Sequence, residues 1–347
     1  MRLLGRMALA IAAFLSAAPF AVARPGWVTS GPPLPQSNSV SAPPDADAVV
    51  YAVGSQFDAT QSALFASSDA GQTWNPLVEA PRGDYYSEIF VDPRDSQRLF
   101  AGAQTAAGNT KIYRSTDRGG NWSLILTIST VCGPSFAPGL TADALLIACG
   151  TRLFRTPDAG LTWEEPATPF TETTKLTAGP ASAVFAYGAS RVFRTSNEGT
   201  TWAVAGLAPA ACPGILTLRV DPSNAVRYVA GAGVLGAGGF QCGGVFTTEN
   251  AGGSWTASDL SGVYVTDVRL DPSDPHGAYA CASYIAGILP KGGVWRSSDD
   301  GRTWHNLHLP VAGALRVAVS AGGRVYAATP LGVYELAIRK TRVVGPR

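Results

Sequence analysis

SSDAGQTW, residues Ser67–Trp74, is the first of six copies of one octapeptide in this chain of 347 residues. The other copies are STDRGGNW (115–122), TPDAGLTW (156–163), TSNEGTTW (195–202), TENAGGSW (248–255) and SSDDGRTW (297–304). Each copy predicts a hairpin turn, because Asp or Asn accepts nearby backbone N–H groups and Gly supports the positive φ of a tight turn. The expected structural residues are Asp69, Asp117, Asp158, Asn197, Asn250 and Asp299, with Trp74, Trp122, Trp163, Trp202, Trp255 and Trp304 between neighbouring sheets.

The spacing of the octapeptides indicates a larger repeat. Their tryptophans lie 39 to 53 residues apart, which suits one four-stranded propeller blade per repeat. A short strand such as KIYRS (111–115) precedes each octapeptide, and several repeats carry an Asp-Pro step between two apolar runs further upstream. The pattern predicts strands A to D from the channel outward, with the Asp-Pro turn between A and B and the octapeptide between C and D.

Two incomplete repeats complete the count. Residues 40–54 match the A–B hairpins and begin the first blade, whereas residues 315–336 supply strands A, B and C of a last blade. We expect residues 27–31 to provide its missing outer strand, with Trp27 in the place of an octapeptide tryptophan. Such closure removes exposed sheet edges. The predicted fold is all-β, a seven-bladed β-propeller.

The N-terminus predicts export. Arg2 and Arg6 precede an apolar stretch, and Ala21-Val22-Ala23 is a cleavage signature, so residues 1–23 are interpreted as a secretion signal and 24–347 as one propeller domain. The stretch is short for a membrane span, and none is expected in the mature protein, which should be periplasmic or extracellular. A net charge of +1 without basic runs argues against a nucleic-acid partner. Neither a metal site nor a cofactor is expected.

Five cysteines suit an oxidising compartment. Cys132 and Cys149 are expected on the neighbouring A and B strands of one blade, where a disulfide is feasible. Cys212 and Cys242 are expected to join the fifth blade to its long B–C loop. Cys281 is left over.

Three arginines suggest an anion site. Arg219, Arg269 and Arg316 each follow an apolar residue in strand A of the last three blades, so we expect them at one level of the channel, where they can bind a carboxylate or phosphate together. The alternative is that each arginine pairs locally, with Asp221 and Asp271 as the ready partners on the same strand faces.

The B–C loops of the fifth and sixth blades are long and apolar. They contain Phe240, Tyr284, Ile285, Ile288 and Leu289. Exposed apolar clusters on loops often mark protein interfaces, but the two loops can also cover each other. Both interpretations stay open at this stage.

The octapeptides resemble the Asp-box, or bacterial neuraminidase, repeat. The whole mature chain is similar to the propellers of the photosystem II assembly and stability factor family, and sialidases and xyloglucanases share the box. The resemblance implies that the boxes are structural turns away from the active face. It supports a non-enzymatic binder of a protein partner, with a glycoside hydrolase or a lectin-like carbohydrate-binding module as alternatives.

An enzyme would need further residues. A sialidase-like Tyr–Glu pair has its nearest match in Tyr85, Tyr86 and Glu88, which an ordinary blade junction also explains. A glycosidase needs two carboxylates at the scissile bond, and we expect Asp58, Asp84, Glu172 and Asp267 in binding-face loops without any pair marked by the sequence. A G-x-G-x-x-G match at residues 231–236 lacks the helix that dinucleotide binding requires.

Overall fold

The chain forms seven small antiparallel sheets arranged as a seven-bladed β-propeller, which confirms the predicted all-β fold. The computed structural model describes residues 26–56, 61–284, 287–289 and 291–336. The proposed secretion signal lies outside these residues. Within the described ranges, no helix has the length and hydropathy needed to cross a membrane.

The blades follow one another along the chain. Blade 1 contains β2 (Gln36–Ser41), β3 (Val50–Ser55), β4 (Ser62–Ser67) and β5 (Asn75–Glu79). Blade 2 contains β6 (Tyr85–Val91), β7 (Leu99–Gln104), β8 (Thr110–Ser115) and β9 (Ser123–Ile128). Blade 3 contains β10 (Ser135–Pro138), β11 (Leu145–Cys149) and β12 (Arg152–Thr156). Blade 4 contains β13 (Lys175–Ala178), a 3-10 turn (Pro180–Ser182), β14 (Val184–Tyr187), β15 (Arg191–Thr195) and β16 (Ala203–Leu207).

The remaining blades include the closing strand. Blade 5 contains β17 (Ile215–Asp221), β18 (Asn224–Gly236), β19 (Gly239–Thr248) and β20 (Thr256–Ser261). Blade 6 contains β21 (Val265–Leu270), β22 (Ala278–Ala282), β23 (Gly293–Ser297) and β24 (His305–Asn306). Blade 7 contains β25 (Arg316–Val319), β26 (Val325–Thr329), β27 (Gly332–Leu336) and, as its outer strand, β1 (Trp27–Thr29).

The last blade is built from both ends of the described chain. β1 pairs antiparallel with β27, with Trp27 opposite Leu336. The Trp27 side chain is buried, and its Nε1 donates a hydrogen bond to the carbonyl of Leu307 in blade 6 at 2.7 Å. Trp163 and Trp255 make the same bond to the outer strands of blades 2 and 4. Trp27 therefore occupies the place of an octapeptide tryptophan.

All six octapeptides form the same turn. In the first, the Asp69 carboxylate accepts the backbone N–H of Thr73 at 2.8 Å and its hydroxyl at 2.6 Å, and the Ser67 hydroxyl accepts the N–H of Gly71 at 2.7 Å. Ala70 and Gly71 both have positive φ, 60° and 84°. The corresponding residue pairs of the other five turns do too, which is why glycine recurs at the second of these positions.

Blade 3 departs from the expected four strands. Its outer strand is reduced to a single bridge between Arg155 and Glu164. Pro166 and Pro169 follow this bridge. Proline has no N–H to donate to a sheet, so the sequence ends the pairing where a fourth strand would continue.

Candidate functional site

The inner strands of all seven blades place one side chain each at a common level of the channel. We define this ring position by cross-strand register. The ring residue of strand A pairs with a strand B residue, and the partner of that residue in strand C is a buried aliphatic residue. Its occupants, from blade 1 to blade 7, are Ser39, Glu88, Ser135, Lys175, Thr217, Asp267 and Arg316. The ring is therefore polar in every blade.

β-Bulges help to aim these side chains. In blades 1, 2, 5 and 6 the register of strand A shifts immediately before the ring residue, for instance between Val265 and Asp267. A bulge bends the strand and redirects the side chains beside it. Asp267 therefore lies within β21 and faces the channel, which corrects its expected place in a loop.

Four ring residues also connect adjacent blades. Each accepts a hydrogen bond from the backbone N–H that follows the next blade's ring residue. Ser39 accepts from Ile89, Ser135 from Leu176, Thr217 from Val268 and Asp267 from Val317, at 2.9 to 3.3 Å. Because strand A is the inner edge of each sheet and has a strand neighbour on one side only, this bond satisfies a backbone donor and joins the blades at the same time.

A second channel level lies two residues further along strand A. From blade 1 to blade 7 it holds Ser41, Phe90, Ala137, Thr177, Arg219, Arg269 and Ala318. The expectation that three arginines share one level is therefore wrong for Arg316. That residue occupies the ring position. The sequence alignment misplaced it because blade 7 has no Asp-Pro turn that would fix the alignment.

Asp267 is the common partner of these arginines. Its carboxylate lies 3.0 Å from the Arg219 guanidinium and 3.1 Å from Nε of Arg269, and its side chain is only 3% exposed. Burial alone would raise the pKa of Asp267, but Arg269, Arg219 and Arg316 outweigh burial and hold that pKa below its usual range. The buried carboxylate is thus ionised at neutral pH and orients the guanidinium groups.

Asp221 and Asp271, the expected local partners of the channel arginines, interact with other arginines instead. Asp221 pairs with Arg227 at 3.2 Å, and Asp271 lies 3.9 Å from the Arg296 guanidinium. Both aspartates face the A–B turn side of the molecule, where a separate cleft of about 250 Å³ lies between blades 5 and 6. Asp221 and Asp271 are therefore not the partners of the channel arginines, and Asp267 pairs with Arg219 and Arg269 instead.

Two further charged residues complete the channel. Glu88 lies 3.6 Å from the Arg316 guanidinium and accepts the Ser39 hydroxyl at 2.7 Å. Lys175 donates to the carbonyl of Leu216 at 3.0 Å. Burial, with a smaller contribution from Arg316, lowers the pKa of Lys175 to about 8. Sequence reasoning missed Lys175 because a single lysine in a short strand carries no motif.

A cavity of about 630 Å³ occupies the channel around these residues. Its charged lining is four cations, Lys175, Arg219, Arg269 and Arg316, against the two carboxylates Glu88 and Asp267. The lining extends to the A–B turns and includes no residue of the described B–C loops. The arginines and the apolar loop residues consequently belong to two separate surfaces.

The apolar loop residues lie on the B–C face. β18 and β19 extend the blade 5 hairpin well past the length of the other strands, so the expected long loop is mostly sheet. Leu235 and Phe240 face each other across its tip, and Leu235 is 44% exposed. In blade 6, Tyr284 and Ile288 are exposed, whereas Leu289 is buried, contrary to its place in an exposed cluster, and Ile285 lies outside the described residues. We call Leu235, Phe240, Tyr284 and Ile288 the blade 5–6 rim.

The two predicted disulfides are both present. Cys132 bonds Cys149 in blade 3, and Cys212 bonds Cys242, which lies opposite Val234 near the tip of the extended hairpin. Cys281 is a buried free thiol, and burial raises its pKa to about 12. Two disulfides indicate an oxidising environment.

The sialidase-like and glycosidase candidates are dispersed within the described part of the chain. Tyr85 accepts a hydrogen bond from the Asn38 side chain, and burial raises the pKa of its hydroxyl. Tyr86 packs in the core between blades 1 and 2. Neither tyrosine lines the channel cavity, whereas Glu88 does. Asp84 and Glu172 also lie off the cavity, and Asp58 is outside the described residues.

Comparison with known proteins places this chain among β-propellers. No family model matches it. It is 26% identical over 294 residues to a xyloglucanase of Hypocrea jecorina and 25% identical over 288 residues to one of Paenibacillus sp.. These matches cover 77% and 76% of the chain but only 32% and 26% of the two enzymes, so the chain spans about a third or less of these curated relatives.

Solved structures support the same architecture. The GH74 xyloglucanase from Xanthomonas campestris superposes with a TM-score of 0.68 at 16% identity, covering 89% of this chain and 53% of the enzyme. YCF48 from Cyanidioschyzon merolae gives 0.62 at 15% identity, covering 90% of this chain and 98% of YCF48. A structure of YCF48 bound to D1 peptide gives 0.64 at 16% identity, covering 91% and 96%. Identities this low establish the fold alone, which is that of a seven-bladed β-propeller.

Proposed function

We propose that this chain is an exported, non-enzymatic β-propeller that binds a protein partner through the blade 5–6 rim. The observation that carries the proposal is the extended β18–β19 hairpin, which presents an apolar pair at its tip on a rigid support. Apolar residues held out from a rigid scaffold are typical of protein interfaces.

The hairpin is fixed in place before any partner binds. The Cys212–Cys242 disulfide ties β19 to the segment ahead of β17. One residue before the tip pair, Val234 packs against the cluster of Cys212, Ala232 and Phe246. A preorganised surface loses little conformational entropy on association, so a small apolar tip can contribute usefully to affinity.

Similarity to YCF48 supports a binding role. Its structures match almost their full length, and one of them is described as bound to D1 peptide. By extension, we propose peptide or protein binding for this chain. In the same way we propose that the six octapeptide turns are Asp boxes with a structural role, that residues 1–23 direct export, and that residues 24–347 form the mature domain.

A glycoside hydrolase is the second candidate, because the curated relatives are xyloglucanases. Hydrolysis needs one protonated carboxyl group as acid and a second carboxylate as base or nucleophile. In the described channel, Asp267 is held ionised between arginines and Glu88 interacts with Arg316 and Ser39. This pairing favours binding over hydrolysis. Carbohydrate binding without hydrolysis is the third possibility.

Crosslinking capture tests the proposal. The tagged chain and a Leu235→Ser/Phe240→Ser variant are expressed in the native host, and proteins crosslinked in the exported fraction are identified. Leu161→Ser is the matched control, because Leu161 is 80% exposed in the third octapeptide, on the opposite face. We expect one partner that wild type and the control capture and the rim variant loses.

The same protein is incubated with xyloglucan and sialosides. Release of reducing ends or sialic acid by wild type, abolished in Glu88→Gln, would show that the chain is a hydrolase. Partner capture that is equal in the rim variant and the Leu161→Ser control would refute the rim as the binding surface.

A further inference from the structure

We propose that the channel cavity is a second, independent site that binds a small organic anion with an apolar end, such as an aryl-substituted carboxylate. The cavity includes no residue of the blade 5–6 rim, so the inference stands whether or not the rim binds a protein.

The second channel level is divided into a basic side and an aromatic side. Arg219 and Arg269 occupy it in blades 5 and 6, and Phe90 occupies it in blade 2. In a ring of seven blades, the point opposite blade 2 lies between blades 5 and 6. Phe90 therefore faces the two guanidinium groups across the cavity.

The positive charge at this level is not neutralised. Of the two carboxylates that line the cavity, Glu88 faces Arg316, whereas Asp267 is shared by Arg219 and Arg269. Arg219 and Arg269 therefore carry two positive charges, and the single carboxylate of Asp267 is their shared counter-charge. Enclosed cations without a full complement of counter-charge are unfavourable. An anion bound between them lowers that cost.

Arg269 has hydrogen-bonding capacity left for such an anion. Its Nε donates to Asp267 at 3.1 Å and to the carbonyl of Val317 at 3.2 Å. Its two terminal nitrogens have no acceptor among the described residues, and 38% of the side chain is exposed. These bonds at Nε hold the guanidinium in place, while the remaining N–H groups are available for a carboxylate.

The opposite wall suits a hydrocarbon or aromatic group. The Phe90 ring stacks on Phe136 with centroids 5.7 Å apart and planes at 15°, and Phe100 lies 6.2 Å from Phe136. Phe90 is half-buried and lines the cavity together with Pro134. An aryl group placed here gains apolar burial and offset stacking.

The cavity favours a small molecule over an extended peptide. Its volume of about 630 Å³ falls in the range of ligand pockets. A peptide would bring backbone N–H and C=O groups against the apolar wall of blades 2 and 3, where they would lose hydrogen bonds to water without replacement. The lining reaches Pro44, Pro93, Pro138 and Pro272 near the A–B turns, so the cavity extends to the face opposite the rim.

Isothermal titration of the full mature chain tests the site with three probes. 3-Phenylpropionate carries both a carboxylate and an aryl group, 3-phenylpropionamide lacks the charge, and gluconate lacks the apolar end. We expect 3-phenylpropionate to bind at least tenfold more tightly than either analogue. Arg269→Gln should weaken it at least tenfold, Phe90→Ala should weaken it but spare the preference for the acid over the amide, and the exposed Arg302→Gln should change nothing.

Several results would overturn the inference. They are equal binding of acid and amide, equal binding of gluconate, or unchanged affinity in Arg269→Gln. If that variant does not fold, Phe90→Ala and the analogue series decide the matter alone. Binding of an acidic heptapeptide that Arg269→Gln abolishes, without binding of 3-phenylpropionate, would reassign the cavity to a macromolecular partner. None of these results bears on capture of a partner by the rim.

Discussion

At the scale of single residues, Asp267 organises the channel. It compensates two guanidinium groups and also accepts the N–H of Val317, which joins blade 6 to blade 7. The two guanidinium groups and the Val317 N–H fix the position of the Asp267 carboxylate, and the carboxylate in turn orients the guanidinium groups. Its loss therefore affects both stability and the geometry of the cavity.

Replacing this carboxylate should be costly. Asp267→Asn removes the negative charge and leaves Arg219 and Arg269 enclosed without compensation, so we expect a loss of about 3 kcal/mol in the free energy of unfolding. Urea denaturation measures it. Glu79→Gln, at an exposed position of β5, is the control and should change stability by less than about 0.5 kcal/mol. A variant as stable as wild type would mean that water compensates the arginines.

At the scale of elements, β1 connects the N-terminal part of the described chain to blade 7. Trp27 contributes to the core cluster shared with blade 6, and Ser30 reaches the first octapeptide turn, where its hydroxyl donates to the carbonyl of Gly71 at 2.8 Å. Three blades thus meet at this segment. Its closing role follows from its position between the first and last sheets.

Deleting residues 24–33 should lower the melting temperature markedly. The deletion exposes the edge of β27 and removes the buried Trp27 side chain with its hydrogen bond to Leu307. Differential scanning calorimetry gives the shift, and Val28→Ser, at a position 49% exposed on the same strand, should leave it nearly unchanged. If the truncated chain melts at the wild-type temperature, the N-terminal segment does not contribute to closure.

The two disulfides should differ in function more than in stability. Removing Cys212–Cys242 or Cys132–Cys149 by paired alanine substitution should each cost about 2–4 kcal/mol, because the bonds close loops of 30 and 17 residues. Only the first supports the extended hairpin, so only its loss should weaken partner capture by the rim. Denaturation curves and the crosslinking assay separate the two effects. Equal loss of capture in both variants would point to general destabilisation.

At the scale of the whole molecule, the octapeptide turns should make the propeller sensitive to acid. Hydrogen bonds from the Thr73 and Thr162 hydroxyls and N–H groups lower the pKa of Asp69 and Asp158 to about 2, and Asn121 lowers that of Asp117. A carboxyl group whose pKa is lower in the folded state stabilises the fold above its unfolded value, near 3.8. That contribution is lost as the pH falls towards the folded pKa. Stability should therefore fall between about pH 4 and pH 2.

The chain supplies its own control for this effect. The fourth and fifth turns use Asn197 and Asn250, which do not titrate, and Asn197 accepts the N–H of Thr201 at 3.0 Å as an aspartate would. The triple variant Asp69→Asn/Asp117→Asn/Asp158→Asn should keep the fold at pH 7 and show a shallower loss of stability below pH 4. Thermal melts at half-unit pH steps provide the comparison. An identical acid profile would assign the loss to other carboxylates, Asp267 among them.

The sequence by itself determined the repeat, the blade count, the turns and the cysteine pairs. Each octapeptide satisfies its hydrogen bonds within eight residues, so its structure can be inferred locally, and its spacing sets the number of blades. Cysteine pairing followed from the adjacency of strands within one blade. The outer strand of blade 3 departs from the repeat because Pro166 and Pro169 follow its octapeptide and end the pairing after one bridge.

The tertiary structure decided what the channel contains. Whether Arg316 lies beside Arg269 or beside Asp267 depends on strand register, and β-bulges shift that register in four blades in a way that counting residues cannot reveal. The partnership of Arg219 with Asp267 joins residues 48 positions apart through the packing of adjacent blades. The separation of the arginines from the apolar rim was also decided by the tertiary structure. Strand A carries side chains into the channel and towards the A–B turns, whereas the B–C connections end on the opposite face.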